Sequence, residues 1–320
     1  AREELAGFFS FKRDQIIFTS GATEANNAIF AHFSKGLGLK GSCLVSPFEH
    51  PSVIDSAKYW FDQKIIYMPT DGKGLVNLNE TSSILEKEKI SLVSLMAANN
   101  ETGVLQPWQE LAEVCSRNGV YFHCDATQWV GKLDTSGLSN CGSFSASAHK
   151  FCGPKGVGWL ATKAPVKMQL GGAQEFGLRG GTENYPAIAS MMVAFKDAQD
   201  RISEVNSRAL WRDEFDKGIV AGIPNSQILG SDKKRLWNTS MVLLPDYENL
   251  RWVGKLDKLG FEVSTGSACS VGKEQGSGIA NHYGLTAGQG RRLVRVSSYF
   301  EHSQSDWENL LSAFCLAYKE

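Results

Sequence analysis

The chain has 320 residues, 42% of them hydrophobic and 21% charged, and a formal net charge of -1 at pH 7. That length suits two domains or one large one, with a sizeable core. The near-neutral balance gives no electrostatic reason for nucleic acid or an anionic membrane as a partner, and no apolar run approaches the length of a membrane span.

Residues 1–9 read as the middle of a helix without an N-cap or start methionine, so a further N-terminal piece is expected in the native protein. Residues 15–19 are short, apolar and β-branched, which predicts a strand. Ser20-Gly21-Ala22-Thr23-Glu24 follows, then a helical stretch over 25–33. Strand, glycine turn and helix with a hydroxyl at its start suit phosphate, because free N–H groups face the anion. Plain helix capping by Thr23 explains the same residues.

A strand at 43–46 runs into Pro47-Phe48-Glu49-His50-Pro51, before a helix over 53–61. His50 therefore sits at the carboxyl end of a strand, where ligands bind in parallel α/β sheets. A helix-entry histidine is the plainer reading. Strands are predicted at 64–68, 91–96 and 120–124, and helices at 81–87 and 109–117. The strand at 91–96 ends at Asn99-Asn100-Glu101-Thr102-Gly103, a turn composition that also places Asn100 at a strand end. The strand at 120–124 runs into Asp125-Ala126-Thr127-Gln128. An acid straight after an apolar strand is partly buried and needs a cationic partner, or else caps the next segment.

The stretch 145–158 holds small residues, then His149, Lys150, Phe151 and Cys152, then Gly153, Pro154, Gly156 and Gly158. No regular helix tolerates that spacing, so Lys150 lies on a turn leading into a strand at 157–161. Read alone it is a surface turn; the sharper reading is a Schiff-base lysine. Thr23, His50, Asn100, Asp125 and Lys150 all fall at strand carboxyl ends. One ligand site explains five residues that otherwise need five separate accounts.

The alternation to about residue 160 implies a mostly parallel sheet with helices on both faces. A glycine-dense loop at 171–184 suits close approach to a ligand or a second subunit, and a long helix is expected over 186–205. A second domain then opens, with strands at 238–244 and 262–263 and a helix at 252–259. The Gly/Ser-rich stretch 264–278 carries Cys269, read as an accessible thiol. The strand at 293–297 presents Arg295, which suits a substrate carboxylate or a structural salt bridge.

The other cysteines, Cys43, Cys115, Cys124, Cys141, Cys152 and Cys315, read as small core residues. Seven cysteines without a C-x-x-C pair point to a reducing compartment, and with no signal peptide visible a cytoplasmic location is expected. No structural metal site is expected.

The motifs SGATEANN, EHPSV, NNETG, DATQ, SAHKFCGPKGVG, GLRGGTEN, STGSACS and RLVRVS occur in this order. With them the chain resembles the cysteine desulfurases of the NifS/IscS type, in the class V aminotransferase branch of fold type I pyridoxal phosphate enzymes. The resemblance spans essentially the whole chain. It implies a large pyridoxal 5'-phosphate domain at 1–202 and a smaller α+β domain at 203–320. It implies that Lys150 carries the cofactor, Asp125 meets its pyridine nitrogen, Gln128 its ring hydroxyl and His50 its ring face. Ala22, Thr23, Ser147 and His149 would hold the phosphate, helped by Thr182 from the other subunit of a homodimer. Asn100 and Arg295 would bind the carboxylate of L-cysteine, and Cys269 would take the sulfur as a persulfide for a sulfur-acceptor or scaffold protein in iron–sulfur cluster or thio-cofactor assembly. A selenocysteine lyase, a C–S lyase, a transaminase and an inactive scaffold are the alternatives. The chain departs from the family pattern in lacking its N-terminal segment, in Leu170 before Gly171-Gly172, and in Tyr299 and Phe300 after Arg295.

Overall fold

The computed structural model of the chain describes residues 1–36, 41–266 and 278–319. Two compact units are present: Ala1–Thr70 with Val76–Ala97 and Gln106–Ile202, and Asp71–Leu75 with Ala98–Leu105 and Ser203–Glu320.

The first unit runs α1 (Arg2–Phe9), β1 (Ile16–Thr19), α2 (Ala22–Ala31), β2 (Ser42–Val45), α3 (Pro51–Phe61), β3 (Ile65–Tyr67), α4 (Leu78–Lys87), β4 (Ile90–Ser94), α5 (Trp108–Arg117), β5 (Phe122–Asp125), β6 (Ser143–Ser147), β7 (Gly158–Thr162) and α6 (Tyr185–Asp200). Its sheet has the order β1-β7-β6-β5-β4-β2-β3. Pairing is parallel from β6 to β3, and β7 lies antiparallel to both of its neighbours. This is the mostly parallel, helix-flanked sheet that the sequence predicts.

Both faces are covered, which is why β1, β5, β6 and β7 are buried along their length. Leu160 packs with Ala25, Ile29 and Phe30 of α2 and Val53 of α3. Its neighbour Trp159 points the other way, toward Phe9 and Phe195, because side chains alternate along a strand. β6 reads Ser-Phe-Ser-Ala-Ser, too polar and too small to announce a strand. It is buried nonetheless, paired on both sides.

Gly158 faces Thr19 on one side and Ser147 on the other. A Cβ there would stand 2.3 Å from the Ala146 carbonyl oxygen and 2.9 Å from Gly21 Cα. Both are backbone atoms with no rotamer to yield. Gly158→Ala is expected to destabilise the fold by about 1–3 kcal/mol, the usual range for overpacking. An unchanged urea midpoint would show that the strands absorb the methyl group.

Two element boundaries differ from expectation. The single helix predicted over 186–205 is interrupted: α6 ends at Asp200, a 3₁₀ turn spans Ile202–Glu204, and α7 (Val205–Gly222) begins anew. The boundary between the units falls at this turn, and no glycine or proline marks it. The strand expected at 262–263 lies at β10 (Ser264–Thr265), after β8 (Gln227–Ile228), β9 (Thr239–Leu243) and α8 (Asn249–Lys258). Its position is set by pairing, since Ser264 is in register with Arg295 of the last strand.

The second unit continues with α9 (Gly278–His282), α10 (Ala287–Gly290), β11 (Leu293–Ser297) and α11 (Gln304–Lys319). Its sheet is antiparallel, in the order β10-β11-β9-β8. Val294 and Val296 join Val242, Phe215, Trp252 and Phe314 in one core. Phe300 is core as well: its ring lies 4.6 Å from Trp237, and its carbonyl accepts from Arg208 Nη2 at 2.6 Å.

Among the described residues, no helix is long and apolar enough to cross a membrane, and no cluster of three or more His, Cys, Asp or Glu residues is able to hold a metal ion. The reading of six core cysteines needs correction. Cys43, Cys115, Cys124 and Cys141 are buried, but Cys315 is half-buried and Cys152 is exposed. Cys152 ends the turn after Lys150 with φ +60°, which aims it away from the core. Burial pushes the Cys43 and Cys115 thiols up to about 12.

Candidate active site

The carboxyl ends of the strands in the first unit carry most of the polar groups singled out above. β5 ends in Asp125 and β6 in Ser147, β1 runs into Gly21, and the segment after β2 reaches His50. Ser147 leads into a 3₁₀ turn, Ala148–Phe151, which presents Lys150. The turn is closed by Gly153 N–H donating to the Ala148 carbonyl at 2.9 Å and Ala148 N–H donating to the Val157 carbonyl at 3.1 Å. Gly153 is required there: a Cβ would meet Ala148 Cβ at 2.8 Å.

α2 opens at Gly21, which has no side chain to cap it. Thr23 is therefore not the cap; it lies inside the first turn and is exposed. Ala22 N–H donates to Ser147 Oγ at 2.7 Å, so the structure brings these two predicted residues together. An uncapped helix start is a seat for an anion. The neighbourhood is electropositive: burial lowers the pKa of His149, and the charges of Lys150, Lys155 and Lys132 lower it further.

Asp125 is buried. Oδ2 accepts from Asn26 Nδ2 at 2.9 Å and Oδ1 from Thr127 N–H at 3.0 Å. No cationic side chain pairs with it among the described residues. Ser145 lies in register with Asp125 on β6, and its Oγ is buried without a partner. His50 is half-buried and also caps α3: its Nδ1 accepts from Ser52 N–H at 3.1 Å. Burial lowers its pKa; Asp125 opposes the shift and Lys150 reinforces it. Asp125 and Lys150 thus both lie within electrostatic reach of His50. A buried acid without a cation, an open helix start and a lysine on a rigid turn fit pyridoxal 5'-phosphate, whose ring nitrogen is protonated and whose phosphate is anionic.

Gln128 is engaged otherwise, its Oε1 accepting from Lys132 Nζ. Thr182 lies in an exposed run at 181–186. In the second unit, Arg295 makes no ion pair among the described residues. Its Nη1 donates to the Asn100 carbonyl at 3.1 Å, and its Nε is buried without a partner. Donor capacity is therefore left for an anion. Cys269 lies outside the described residues.

Several further polar residues around the site are ones that the sequence reading does not single out. Glu49 is buried with Oε1 accepting from Ser94 Oγ at 3.3 Å. Burial, and then the charge of Asp125, push its carboxyl well above the usual range. Asn26 and His123 are fully buried, Asn26 inside α2 and His123 inside β5. A polar residue on an otherwise apolar face was the one available signal for both. Arg2 and Glu175 form a paired contact at 2.6 and 2.7 Å that ties α1 to the glycine-dense loop.

Burial lowers the His123 pKa from its ordinary 6.5 to about 4. Between those values the unfolded chain binds the proton and the folded chain does not. Stability is therefore complete above pH 6.5 and falls as pH drops toward 4. His50 and His149 add to the fall in the same direction. Urea midpoints of the wild type are expected to drop between pH 7 and pH 5, and His123→Asn is expected to remove part of that drop. An identical slope in the variant would contradict this.

The aminotransferase class-V family model matches residues 1–310. The cysteine desulfurase IscS of Clostridium botulinum is 32% identical over 97% of this chain and 81% of its own length. The cysteine desulfurase IscS of Dictyoglomus turgidum is 37% identical over 84% of this chain and 70% of its own. Among solved structures, a NifS-like protein superposes with a TM-score of 0.86 at 28% identity, covering 98% of this chain and 85% of that one. SspA in complex with cysteine superposes with a TM-score of 0.77 at 28% identity, covering 92% of this chain and 84% of that one.

Proposed function

Because the chain belongs to the aminotransferase class-V family, we propose that it is a pyridoxal 5'-phosphate-dependent cysteine desulfurase, converting L-cysteine to L-alanine and leaving the sulfur as a persulfide on Cys269. The observation that carries this reading is Asp125, a buried carboxylate held by neutral donors alone, beside the uncapped start of α2 and the lysine turn. The relatives named above supply the reaction type, and one structural relative was solved with cysteine.

When bound, the cofactor supplies an electron sink for the substrate α-carbon. Asp125 keeps the ring nitrogen protonated and His50 covers the ring. Ala22, Thr23, Ser147 and His149 hold the phosphate, and Gln128 turns from Lys132 toward the ring hydroxyl. Lys150 Nζ holds the cofactor and moves the proton at the substrate Cα. Arg295 and Asn100 hold the substrate carboxylate, for which the unpaired Arg295 Nε is available. The Cys269 thiolate attacks the substrate sulfur; the C–S bond breaks, a proton replaces sulfur on carbon, and alanine leaves.

In this reading residues 1–202 are the cofactor domain and 203–320 the smaller domain. The active form is a homodimer in which the exposed Thr182 reaches the phosphate of the partner. The persulfide passes to an acceptor or scaffold protein of cluster or thio-cofactor assembly, in the cytoplasm. The test is to incubate cofactor-loaded protein with L-cysteine and measure products. Alanine with persulfide mapped to Cys269 is expected, and sulfide equal to alanine once a thiol reductant such as dithiothreitol is added. Pyruvate and ammonia in place of alanine would assign a C–S lyase instead.

A further inference from the structure

Asn26 is fully buried in α2, one turn beyond the Ala22 that opens the helix. A buried amide is tolerated when its donors and acceptor are met. Here they are. Nδ2 lies 2.9 Å from Asp125 Oδ2 and 3.0 Å from Ser52 Oγ. Oδ1 lies 3.0 Å from His123 Nε2.

These contacts have only one consistent polarity. The Asp125 carboxylate accepts, so the amide nitrogen faces it. Oδ1 accepts, so His123 carries its proton on Nε2 and its Nδ1 accepts from Ser143 Oγ at 2.9 Å. Ser52 Oγ accepts from Asn26, so its own hydrogen goes to His50 Nδ1, 2.9 Å away. His50 Nδ1 accepts from Ser52 N–H as well. The neutral His50 ring therefore carries its proton on Nε2.

From this geometry we infer that Asn26 is a positioning residue, which clamps Asp125 and, through Ser52 Oγ, links it to the ring of His50, whose tautomer the Ser52 N–H already fixes. The inference rests on reading Asp125 and His50 as the cofactor's partners. One amide then ties the group at the ring nitrogen to the group over the ring face, so that neither can turn alone. Packing of α2 on the sheet asks only for volume at this position, which leucine would supply. The hydrogen-bond polarity asks for an amide.

The test uses the cofactor-loaded protein labelled with ¹⁵N-histidine. Proton–nitrogen correlation spectra should show His50, assigned from its loss in His50→Gln, protonated on Nε2. Asn26→Leu should weaken cofactor binding about ten- to a hundredfold, as for a buried carboxylate losing a donor. It should also shift the His50 nitrogen resonances because Ser52 Oγ loses its amide donor, while His50 stays protonated on Nε2 since the Ser52 N–H remains. Ser52→Ala should shift the same resonances, with a smaller loss of affinity, and it carries the test if Asn26→Leu does not fold. A wild-type His50 protonated on Nδ1 overturns the inference, as do unshifted His50 resonances in both variants. Asp125→Asn separates the two levels. If it weakens cofactor binding while Asn26→Leu does not, this inference alone fails; if it changes nothing, the reading of the site fails with it.

Discussion

Lys150→Ala is expected to abolish covalent attachment of the cofactor and to lower turnover of L-cysteine by at least 10²–10⁴-fold, roughly the loss expected from removing a positioned proton-transfer group. The structure singles out this lysine among its neighbours. Its charge is felt at both His50 and His149, whereas Lys132 and Lys155 act on His149. Lys132 is also occupied, donating to Gln128. The backbone that presents Lys150 is held by two hydrogen bonds and a glycine that has no room for a Cβ. Removing the side chain should leave that turn intact, along with Asp125 and the open start of α2. The variant should therefore still bind the cofactor, without the covalent link. Borohydride reduction of the wild type followed by peptide mapping should place the label on Lys150. A label on another lysine, or a reducible link that survives in Lys150→Ala, would overturn the assignment.

What the sequence disclosed follows from what each residue needs. Strand ends were legible because apolar, β-branched runs stop at polar residues, and Asp125 ends β5 as read. The glycine turn before α2 was legible as a helix start, and the alternative of capping by Thr23 falls: Gly21 holds the N-cap position and Thr23 does not. β6 was hidden by its serines, which are buried because β5 and β7 pair with it on either side. Composition cannot show that pairing. The same limit hid Asn26, Ser52 and His123. Each is an ordinary polar residue until the fold brings residues 26 to 99 positions apart into contact. The break between α6 and α7 went unread because it is set by the passage between the units and not by a helix-breaking residue. Cys152 was misread as core because cysteine is usually buried, while its left-handed backbone, two residues past Lys150, turns it out to solvent.

Cys269→Ser is expected to retain the cofactor and to lose sulfide production by about a hundredfold or more. The cofactor groups proposed here, Asp125, His50 and Lys150, lie in the first unit, and Cys269 belongs by sequence to the second. The substitution should therefore separate binding from chemistry. Serine is close to cysteine in size but differs in the two properties the reaction uses. Its hydroxyl stays protonated near neutral pH, and oxygen cannot hold sulfur as a persulfide. Proton removal at the substrate Cα by Lys150 needs no thiol, so exchange of that proton with deuterated solvent should persist in the variant. Breaking the substrate C–S bond needs an acceptor for sulfur, so alanine should fail to accumulate. Selenocysteine is a sharper probe, because its C–Se bond breaks more readily. Residual alanine from selenocysteine alongside none from cysteine would place the lost step at sulfur transfer. Wild-type rates of alanine and sulfide from cysteine would show that Cys269 is not the acceptor, and the chain would then be reassigned to lyase chemistry that proceeds without a protein thiol.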